Sequence, residues 1–269
     1  RRNMKYCGMT DIGRKRNSNQ DSYAVYSGDG YFFAVVCDGM GGVHGGNIAS
    51  GLGVKVFSAV IRNTFGKNPE AGRDSRSLQH ILNTAVAEAN SALYSRAAGD
   101  TELDGMGTTL VAAVICECGA YAVNIGDSRI YCRTESGLFY QISKDHSFVQ
   151  YLIDKGEITR SQAADHPNRN IILRALGVNE TAMCDIFRIE SYEMLLLCSD
   201  GLTNHIANER INEIISAEYT AAGRPIPIKA RVEKLISEAN RNGGSDNITA
   251  ILICRDRPQK RKECENEQV

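Results

Sequence analysis

The sequence predicts an α+β fold in which antiparallel sheets form the centre and amphipathic helices pack on the outside. Short runs rich in Val, Ile, Tyr and Phe follow one another without an intervening helix across residues 108–133. This succession excludes a strictly alternating β-α-β order. Apolar residues recur every three to five positions in two early and two late segments. Such spacing indicates helices with one apolar stripe each.

The predicted elements follow from these patterns in chain order. Helices are expected at about residues 48–65, 78–93, 208–217 and 226–241. Strands are expected at 22–26, 31–37, 108–116, 120–125, 130–133, 194–198 and 248–254. The most irregular stretch, about 145–170, is expected to be a flap, because long polar inserts in compact domains are commonly functional. We therefore predict a single domain over 1–255, with this flap insert, and a polar tail over 256–269.

Composition describes a near-neutral globular protein. The 269 residues are 42% hydrophobic, enough to bury a substantial core, and carry a net charge of −1. No charge excess favours nucleic acid or an anionic membrane. No apolar stretch reaches the ~18 residues of a spanning helix, and the N-terminal residues lack a signal-peptide core. We expect a cytoplasmic monomer with no membrane span and no nucleic-acid partner.

The nine cysteines are predicted to be structural. Their number is odd and no two form a CxxC pair, whereas disulfide frameworks and zinc knuckles need other spacings. Several lie inside apolar runs, where cysteine behaves as a small hydrophobic residue. Examples are Cys37, Cys198 and Cys254. This usage indicates a reducing compartment.

Four aspartates stand beside predicted buried strands: Asp38, Asp127, Asp200 and Asp246. Strand ends hold side chains rigidly, and three of these acids adjoin a glycine, which lets main chain or ligand come close. Carboxylates gathered near a core repel one another unless divalent cations neutralise them, and all-oxygen ligands suit Mg²⁺ or Mn²⁺. An Asp-Gly pair after a strand is also ordinary turn chemistry. Spacing alone leaves both interpretations open.

A glycine-rich stretch begins at Asp38 and suggests a nucleotide-binding loop. The stretch runs Asp38-Gly39-Met40-Gly41-Gly42-Val43-His44-Gly45-Gly46. No Gly-Lys-Ser/Thr follows it, so it is not a P-loop, and the dinucleotide pattern is broken at His44. We interpret the glycines as allowing the main chain to crowd against a metal.

Eight motifs resemble, in their order and approximate spacing, the metal-dependent protein phosphatase (PPM) family, the type 2C serine/threonine phosphatases, in its bacterial form. The resemblance covers nearly the whole chain. The motifs are Thr10-Asp11-Ile12-Gly13 with Arg16-x-x-Asn19-Gln20-Asp21, Asp38-Gly39-Met40-Gly41-Gly42, Gly105-Met106-Gly107-Thr108-Thr109, Gly126-Asp127-Ser128-Arg129, Asp145-His146-Ser147, Arg174-Ala175-Leu176-Gly177, Ser199-Asp200-Gly201-Leu202 and Asp246-Asn247.

The resemblance implies both a fold and an activity. The fold would be a four-layer α-β-β-α sandwich, two antiparallel sheets flanked by pairs of antiparallel helices. The activity would be metal-dependent hydrolysis of phosphoserine and phosphothreonine in proteins by a metal-activated water, without a covalent phospho-enzyme. Its partners would be phosphorylated proteins, and the enzyme would reverse a bacterial Ser/Thr kinase.

The same resemblance implies roles for the metal ligands. Asp38 would bridge two Mn²⁺ or Mg²⁺ ions in the core site, and the carbonyl of Gly39 would bind one of them. Asp200 and Asp246 would hold the other ion. Asp127 matches the position that, with Asp200, supports a third and weaker ion.

Arg16 matches the phosphate-binding arginine of the family, whose planar fork suits two phosphate oxygens. Two positions depart from the family pattern. Gln20 stands where a glutamate usually holds a metal-bound water, and we expect that ion to be bound more weakly, although Gln20 keeps a hydrogen-bond acceptor that can contact the water. Met40 stands where the eukaryotic form has a histidine acting as general acid, and Met cannot transfer a proton. His44 is close in sequence to Asp38, but a catalytic role is not the favoured interpretation, and His146 and His166 are expected to be structural residues around the flap.

Two other hypotheses remain. A catalytically silent member acting as a binding or regulatory module would have lost metal ligands, whereas this chain retains every carboxylate that the resemblance requires. A relative specialised for one phosphorylated regulator, such as an anti-sigma antagonist, is not separated from a general phosphatase by sequence. Its substrate choice would lie in surface and flap residues.

Overall fold

The computed structural model describes residues 4–255, except for the side chains of residues 42–44. The predicted tail over 256–269, Cys264 and the side chain of His44 lie outside this described part. No helix within it is both long and apolar enough to cross a membrane.

Eleven strands and seven helices form the described chain. The strands are β1 Met4–Asp11, β2 Asp21–Ser27, β3 Phe32–Met40, β4 Gly107–Thr108, β5 Leu110–Cys116, β6 Gly119–Ile125, β7 Arg129–Arg133, β8 Phe139–Gln141, β9 Asp185–Ile189, β10 Met194–Cys198 and β11 Ile248–Arg255. The helices are α1 Gly42–Lys67, α2 Ser75–Ala98, α3 Phe148–Asp154, α4 Arg160–Ala164, α5 Asp200–Thr203, α6 Asn208–Ser216 and α7 Ile228–Arg241.

The strands form two antiparallel sheets. The first sheet has the order β1-β11-β10-β7-β8, and the second has the order β2-β3-β5-β6-β9 with β4 paired to β3. Four of the nine strand pairings in the described chain join strands that are not consecutive in sequence, namely β1-β11, β7-β10, β3-β5 and β6-β9. Strand β11, the last strand of the described residues, lies between β1 and β10.

Three apolar layers hold the sheets and helices together. The layer between the two sheets contains Phe32 and Leu197. A second layer joins the second sheet to α1 and α2 through residues such as Phe57. A third joins the first sheet to α6 and α7 through residues such as Leu235. Three such layers require four tiers of secondary structure, so the predicted four-layer α-β-β-α sandwich is confirmed.

The helices form where the sequence combines an apolar stripe with a residue suited to the helix N-terminus. In α2 the apolar residues that recur from Leu78 to Leu93 are buried in the second layer, and the carboxylate of Asp74 accepts a hydrogen bond of 2.9 Å from the backbone N–H of Ser77. Pro227 immediately precedes α7, where a missing N–H costs nothing. All four predicted helices are present. The bounds of α6 and α7 lie within two residues of those expected, whereas α1 and α2 extend beyond their expected bounds at both ends.

Several short elements escape the sequence patterns. Strands β1, β8 and β9 were not expected, because they are partly exposed and lack a buried apolar run. The helices α3 and α4 lie inside the stretch predicted to be irregular, and each is too short to show a helical period. That this stretch acts as a flap stays a prediction.

The end of strand β3 lies further along the chain than expected, beyond Asp38. Asp38 was expected to follow its strand, but β3 continues to Met40 because Gly39 and Met40 pair with Thr108 and Gly107. Asp38 is therefore held by strand pairing on both sides.

Candidate metal centre

The predicted acids lie where elements of both sheets end or turn. Asp38 is on β3, Asp127 is in the turn between β6 and β7, and Asp200 opens α5 directly after β10. Asp246 lies just before β11. A fifth acid, Asp21, opens β2 and is paired in register with Asp38.

The backbone around Asp38 is fixed by two threonines. Its N–H donates to the hydroxyl of Thr109 at 3.0 Å, and its carbonyl accepts from the hydroxyl of Thr108 at 2.9 Å. The hydroxyl of Thr109 also contacts that of Ser128 at 2.8 Å, next to Asp127. The main chains that carry two of the predicted ligands are thus linked through one buried threonine.

Asp21 joins the two sheets. The residue is only 7% exposed, and its Oδ2 accepts hydrogen bonds from the hydroxyls of Ser199 at 2.7 Å and Thr249 at 2.6 Å. Its other carboxylate oxygen, Oδ1, is buried without a hydrogen-bond partner. Sequence reasoning quoted Asp21 within a motif but gave it no role.

Asp127 sits in a turn clamped by the segment that leads into α3. The N–H of Gly126 donates to Nδ1 of His146 at 3.1 Å, and the N–H of His146 donates to the carbonyl of Gly126 at 2.9 Å. Arg129 forms an ion pair with Asp145 at 2.7 Å. Gly126 has a φ of +105°, which other residues rarely adopt.

Asp200 and Asp246 come from elements that approach closely. A Cβ at Gly201 would lie 1.9 Å from the carbonyl oxygen of Asn247, so only glycine allows α5 to meet the start of β11. The Oδ2 of Asp200 accepts from Asn204 at 3.0 Å, whereas its Oδ1 is buried with no hydrogen-bond partner.

Asn247 organises the loop that carries Arg16. Its side-chain amide donates to the carbonyls of Ile12 at 2.9 Å and Ser18 at 3.0 Å, and its Oδ1 accepts from the N–H of Gln20 at 2.8 Å. Arg16 lies on this loop, is 49% exposed and forms an ion pair with Asp246 at 2.8 Å. The loop is therefore held beside Asp246, which is 230 residues from Arg16 in sequence.

The backbones of Gly39 and Gln20 are in close contact. The N–H of Gly39 donates to the carbonyl of Gln20 at 3.0 Å, and a Cβ at Gly39 would lie 1.9 Å from the carbonyl oxygen of Gly46. The side-chain amide of Gln20 lies against Gly46, since a Cβ there would be 2.7 Å from its Cδ. Main chain thus crowds against main chain at this point; that it also crowds against a metal stays a prediction.

The proximity of the acids changes their ionisation. Burial raises the pKa of Asp38 well above its ordinary value, and the charges of four neighbouring acids raise it further. These four are Asp21, Asp200, Asp127 and Asp246. Each negative charge disfavours ionisation of the others, because desolvation and like charge act in the same direction.

The pKa values of Asp127, Asp21 and Asp200 are raised as well. Burial raises the pKa of Asp127 to about 8, with the charge of Asp200 contributing next. Burial raises the pKa of Asp21 to about 6, although hydrogen bonds from Thr249 and Ser199 lower it. The pKa of Asp200 is also raised, mainly by burial and then by Asp246.

This chemistry fits a divalent cation. Two buried carboxylate oxygens, on Asp21 and Asp200, have no hydrogen-bond partner, and the surrounding donors are all oxygen. Among the described residues no three His, Cys, Asp or Glu side chains already surround one ion-sized point. The assignment of a cation site therefore rests on the burial of the acids, their mutual repulsion and their unpaired oxygens. It does not rest on a set of ligands already arranged around one point.

Two antiparallel sheets that share a cluster of buried acids, beside an exposed arginine, define the class of metal-dependent phosphatases. The sequence matches the family described as protein phosphatase 2C over residues 11–252. The chain belongs to the protein phosphatase 2C family.

Individual proteins show the same relationship. The serine/threonine phosphatase stp of Listeria monocytogenes is 36% identical over 254 residues, which cover 93% of this chain and 96% of that protein. The structure of the serine/threonine phosphatase Stp1 from Staphylococcus aureus has a TM-score of 0.81 and 32% identity, covering 94% of this chain and 96% of that one. The Mycobacterium tuberculosis phosphatase PstP/Ppp has a TM-score of 0.79 and 32% identity, covering 94% and 99%.

Proposed function

We propose that the protein hydrolyses phosphoserine and phosphothreonine in other proteins, in a reaction that depends on Mn²⁺ or Mg²⁺. The observation that carries this proposal is the cluster of mutually repelling, buried acids around Asp38, with the exposed guanidinium of Arg16 at its rim. Metal-assisted hydrolysis of a phosphoester requires a cation-binding centre beside a group that binds the phosphate. The relatives named above carry the name serine/threonine phosphatase, which supports the same substrate class.

The cations would be held by the residues that the sequence singled out. Asp38 would be shared by the two core ions, the carbonyl of Gly39 would bind one of them, and Asp200 and Asp246 would hold the other. Asp127, with Asp200, would support a third and weaker ion. A related structure, 32% identical with a TM-score of 0.76 and covering 93% of this chain and 97% of that one, is of the PstP catalytic domain in complex with two manganese ions. When bound, such cations supply Lewis acidity, which makes a water nucleophilic near neutral pH and offsets phosphate charge.

Arg16 would hold the phosphate group. Its guanidinium is half exposed and needs only to turn from Asp246 to reach a substrate at the rim. Two parallel N–H groups can then donate to two phosphate oxygens, and this orients the phosphorus for attack. The same contact stabilises the charge that gathers on those oxygens in the transition state.

Neither Met40 nor His146 is available to protonate the leaving group. Met40 occupies the position that carries a histidine in the eukaryotic form, and it has no proton to give. His146 is buried, accepts from Gly126 through Nδ1 and faces Asp185 through Nε2 at 3.0 Å. Its two ring nitrogens are thus engaged in holding the fold, as expected for a structural histidine.

The finer parts of the proposal concern the setting of the enzyme. We propose that it opposes a Ser/Thr kinase, acts as a monomer in the cytoplasm, and uses residues 1–255 as one catalytic domain with a flap at about 145–170. Substrate choice would depend on surface and flap residues near the site.

The test is hydrolysis of p-nitrophenyl phosphate and of a phosphothreonine peptide with and without Mn²⁺. We expect activity that requires Mn²⁺, that chelator abolishes, and that Asp38→Asn and Asp200→Asn each remove. Asp29→Asn, an exposed acid in a turn, is the matched control and should retain full activity. Activity that survives excess chelator, or either site variant, would refute the metal-centred mechanism. A protein that binds the phosphopeptide without hydrolysing it would instead be the silent regulatory module.

A further inference from the structure

Two cysteine sulfurs lie side by side at the turn between β5 and β6. The Sγ atoms of Cys116 and Cys118 are 3.4 Å apart, which is the separation of sulfurs in contact but not bonded. Cys116 is the last residue of β5 and pairs across the hairpin with Gly119, so Glu117 and Cys118 form a two-residue turn.

The turn is held in this shape by its neighbours. The N–H of Cys118 donates to the carbonyl of Gly72 at 2.8 Å. A Cβ at Gly72 would lie 2.8 Å from the Cβ of Cys116, so only glycine leaves room for the thiol there. Arg73 contacts the carboxylate of Glu117 at 3.3 Å. Because the backbone is already fixed, little conformational entropy remains to be lost when the two sulfurs react.

The two thiols differ in their access to solvent. Cys116 is only 5% exposed, and burial first, then Cys118, raises the pKa of its thiol to about 12. Cys118 is partly exposed at the surface of the turn. A small oxidant would therefore meet Cys118 first, with the protonated Cys116 directly behind it.

We propose that Cys116 and Cys118 form a dithiol oxidation site, which closes to an intramolecular disulfide on reaction with a peroxide. The sulfur of Cys118 attacks one peroxide oxygen, the O–O bond breaks, and a sulfenic acid and one water are produced. The sulfur of Cys116 then attacks that of Cys118, the S–OH bond breaks, and the proton of Cys116 leaves with the hydroxide as a second water. Two thiols are oxidised by two electrons, and one peroxide is reduced to two waters.

The product should be easily reduced. A disulfide with a single residue between its cysteines closes a small ring, and rings that depart from relaxed disulfide geometry are more reducible. The turn also lies at the end of β5 that is remote from the acids, about 20 Å along the strand from Leu110. Oxidation should consequently leave the metal centre undisturbed.

The experiment treats the full chain with hydrogen peroxide, alkylates the remaining thiols under denaturing conditions, and maps the labels by mass spectrometry. We expect Cys116 and Cys118 to lose their labels together, with the turn peptide lighter by two hydrogens, at a peroxide dose at which Cys184 stays labelled. A dithiol reductant should restore both labels. Cys184 is the internal control, because it is also partly buried but its sulfur donates a hydrogen bond to Oδ1 of Asn83 and not to a second thiol.

Two variants keep the proposal open to refutation. In Cys116→Ser, Cys118 has no partner, and we expect it to proceed to sulfinic acid that the dithiol does not reverse. Cys118→Ser, at the more exposed position, should leave Cys116 labelled throughout. The proposal is wrong if wild-type Cys118 is over-oxidised while Cys116 keeps its label, or if Cys184 reacts at least as readily. These outcomes are independent of phosphatase activity.

Discussion

The guanidinium of Arg16 and the carboxylate of Asp246 form an ion pair 2.8 Å long, which joins the predicted phosphate ligand to a predicted cation ligand. Both side chains are partly exposed, so the pair is screened by solvent and can exchange for other partners. A cation at Asp246 and a phosphate at Arg16 would each replace one half of the pair. Substrate and metal binding should therefore be separable by mutation of Arg16.

Replacing Arg16 by alanine should weaken substrate binding without weakening metal binding. Loss of charge-assisted hydrogen bonds worth about 1.5–3 kcal/mol corresponds to a rise in KM of about 10- to 100-fold for a phosphothreonine peptide. The half-saturating Mn²⁺ concentration should stay the same or fall, since Asp246 loses a competing partner. Lys15→Ala, which removes a neighbouring exposed charge, is the control. If Arg16→Ala impairs Mn²⁺ binding as strongly as substrate binding, the arginine serves to position Asp246.

Changing Gln20 to glutamate should tighten Mn²⁺ binding. The backbone of residue 20 is held by Asn247 and Gly39, so the substitution changes charge and leaves the position intact. A gain of about 1 kcal/mol would lower the half-saturating Mn²⁺ concentration about fivefold. Titration of activity with Mn²⁺ measures this, with Gln79→Glu on the exposed face of α2 as control. An unchanged midpoint would show that position 20 is not linked to the metal.

The metal-free protein should become less stable as pH rises from about 4 to about 8. The carboxyl groups of Asp21 and Asp127 have pKa values of about 6 and about 8 in the folded protein, against 3.8 ordinarily. The folded state thus binds more protons than the unfolded state in this window, and stability falls as those protons are lost. Urea unfolding in chelator measures this, and the free energy of unfolding should be smaller at about pH 8 than at about pH 5.

An Asp127 variant and added Mn²⁺ show whether the pH dependence of stability comes from these acids or from other titrating groups. Asp127→Asn should reduce the loss of stability between the two pH values, because one of the strongly shifted carboxyls is gone. Added Mn²⁺ should raise the melting temperature more at about pH 8 than at about pH 5, since cations and protons compete for the same oxygens. Stability that rises with pH in chelator would mean that the acids are not crowded as described.

Gly39→Ala should destabilise the protein severely. The added Cβ would lie 1.9 Å from the carbonyl oxygen of Gly46 and 2.7 Å from that of Gln20, and both are backbone atoms that cannot turn away. We expect the free energy of unfolding to fall by at least about 3 kcal/mol. Gly66→Ala is the matched control, because nothing lies within 4 Å of its Cβ position in α1. That change should stabilise the protein by about 0.5–1 kcal/mol.

Much of the secondary structure could be predicted, because the long helices and buried strands carry their own periodicity. The short elements could not, since β1 and α3 show no pattern long enough to distinguish them from loops. At the metal centre, Asp38 and Asp200 were recognisable from the runs beside them. Asp21 was not, because only its placement opposite Asp38 gives it a role.

The sequence by itself determined the chemistry available to this protein: four acids beside apolar runs, glycines where main chain must crowd, and eight ordered motifs that resemble one family. These are local properties, and local residue types are enough to reveal them. The tertiary structure decided which groups meet. Arg16 and Asp246 are 230 residues apart, and even the neighbouring thiols of Cys116 and Cys118 meet only through the hairpin register. Such contacts depend on strand order and pairing, which the free energy of the whole packed core selects and no local pattern encodes.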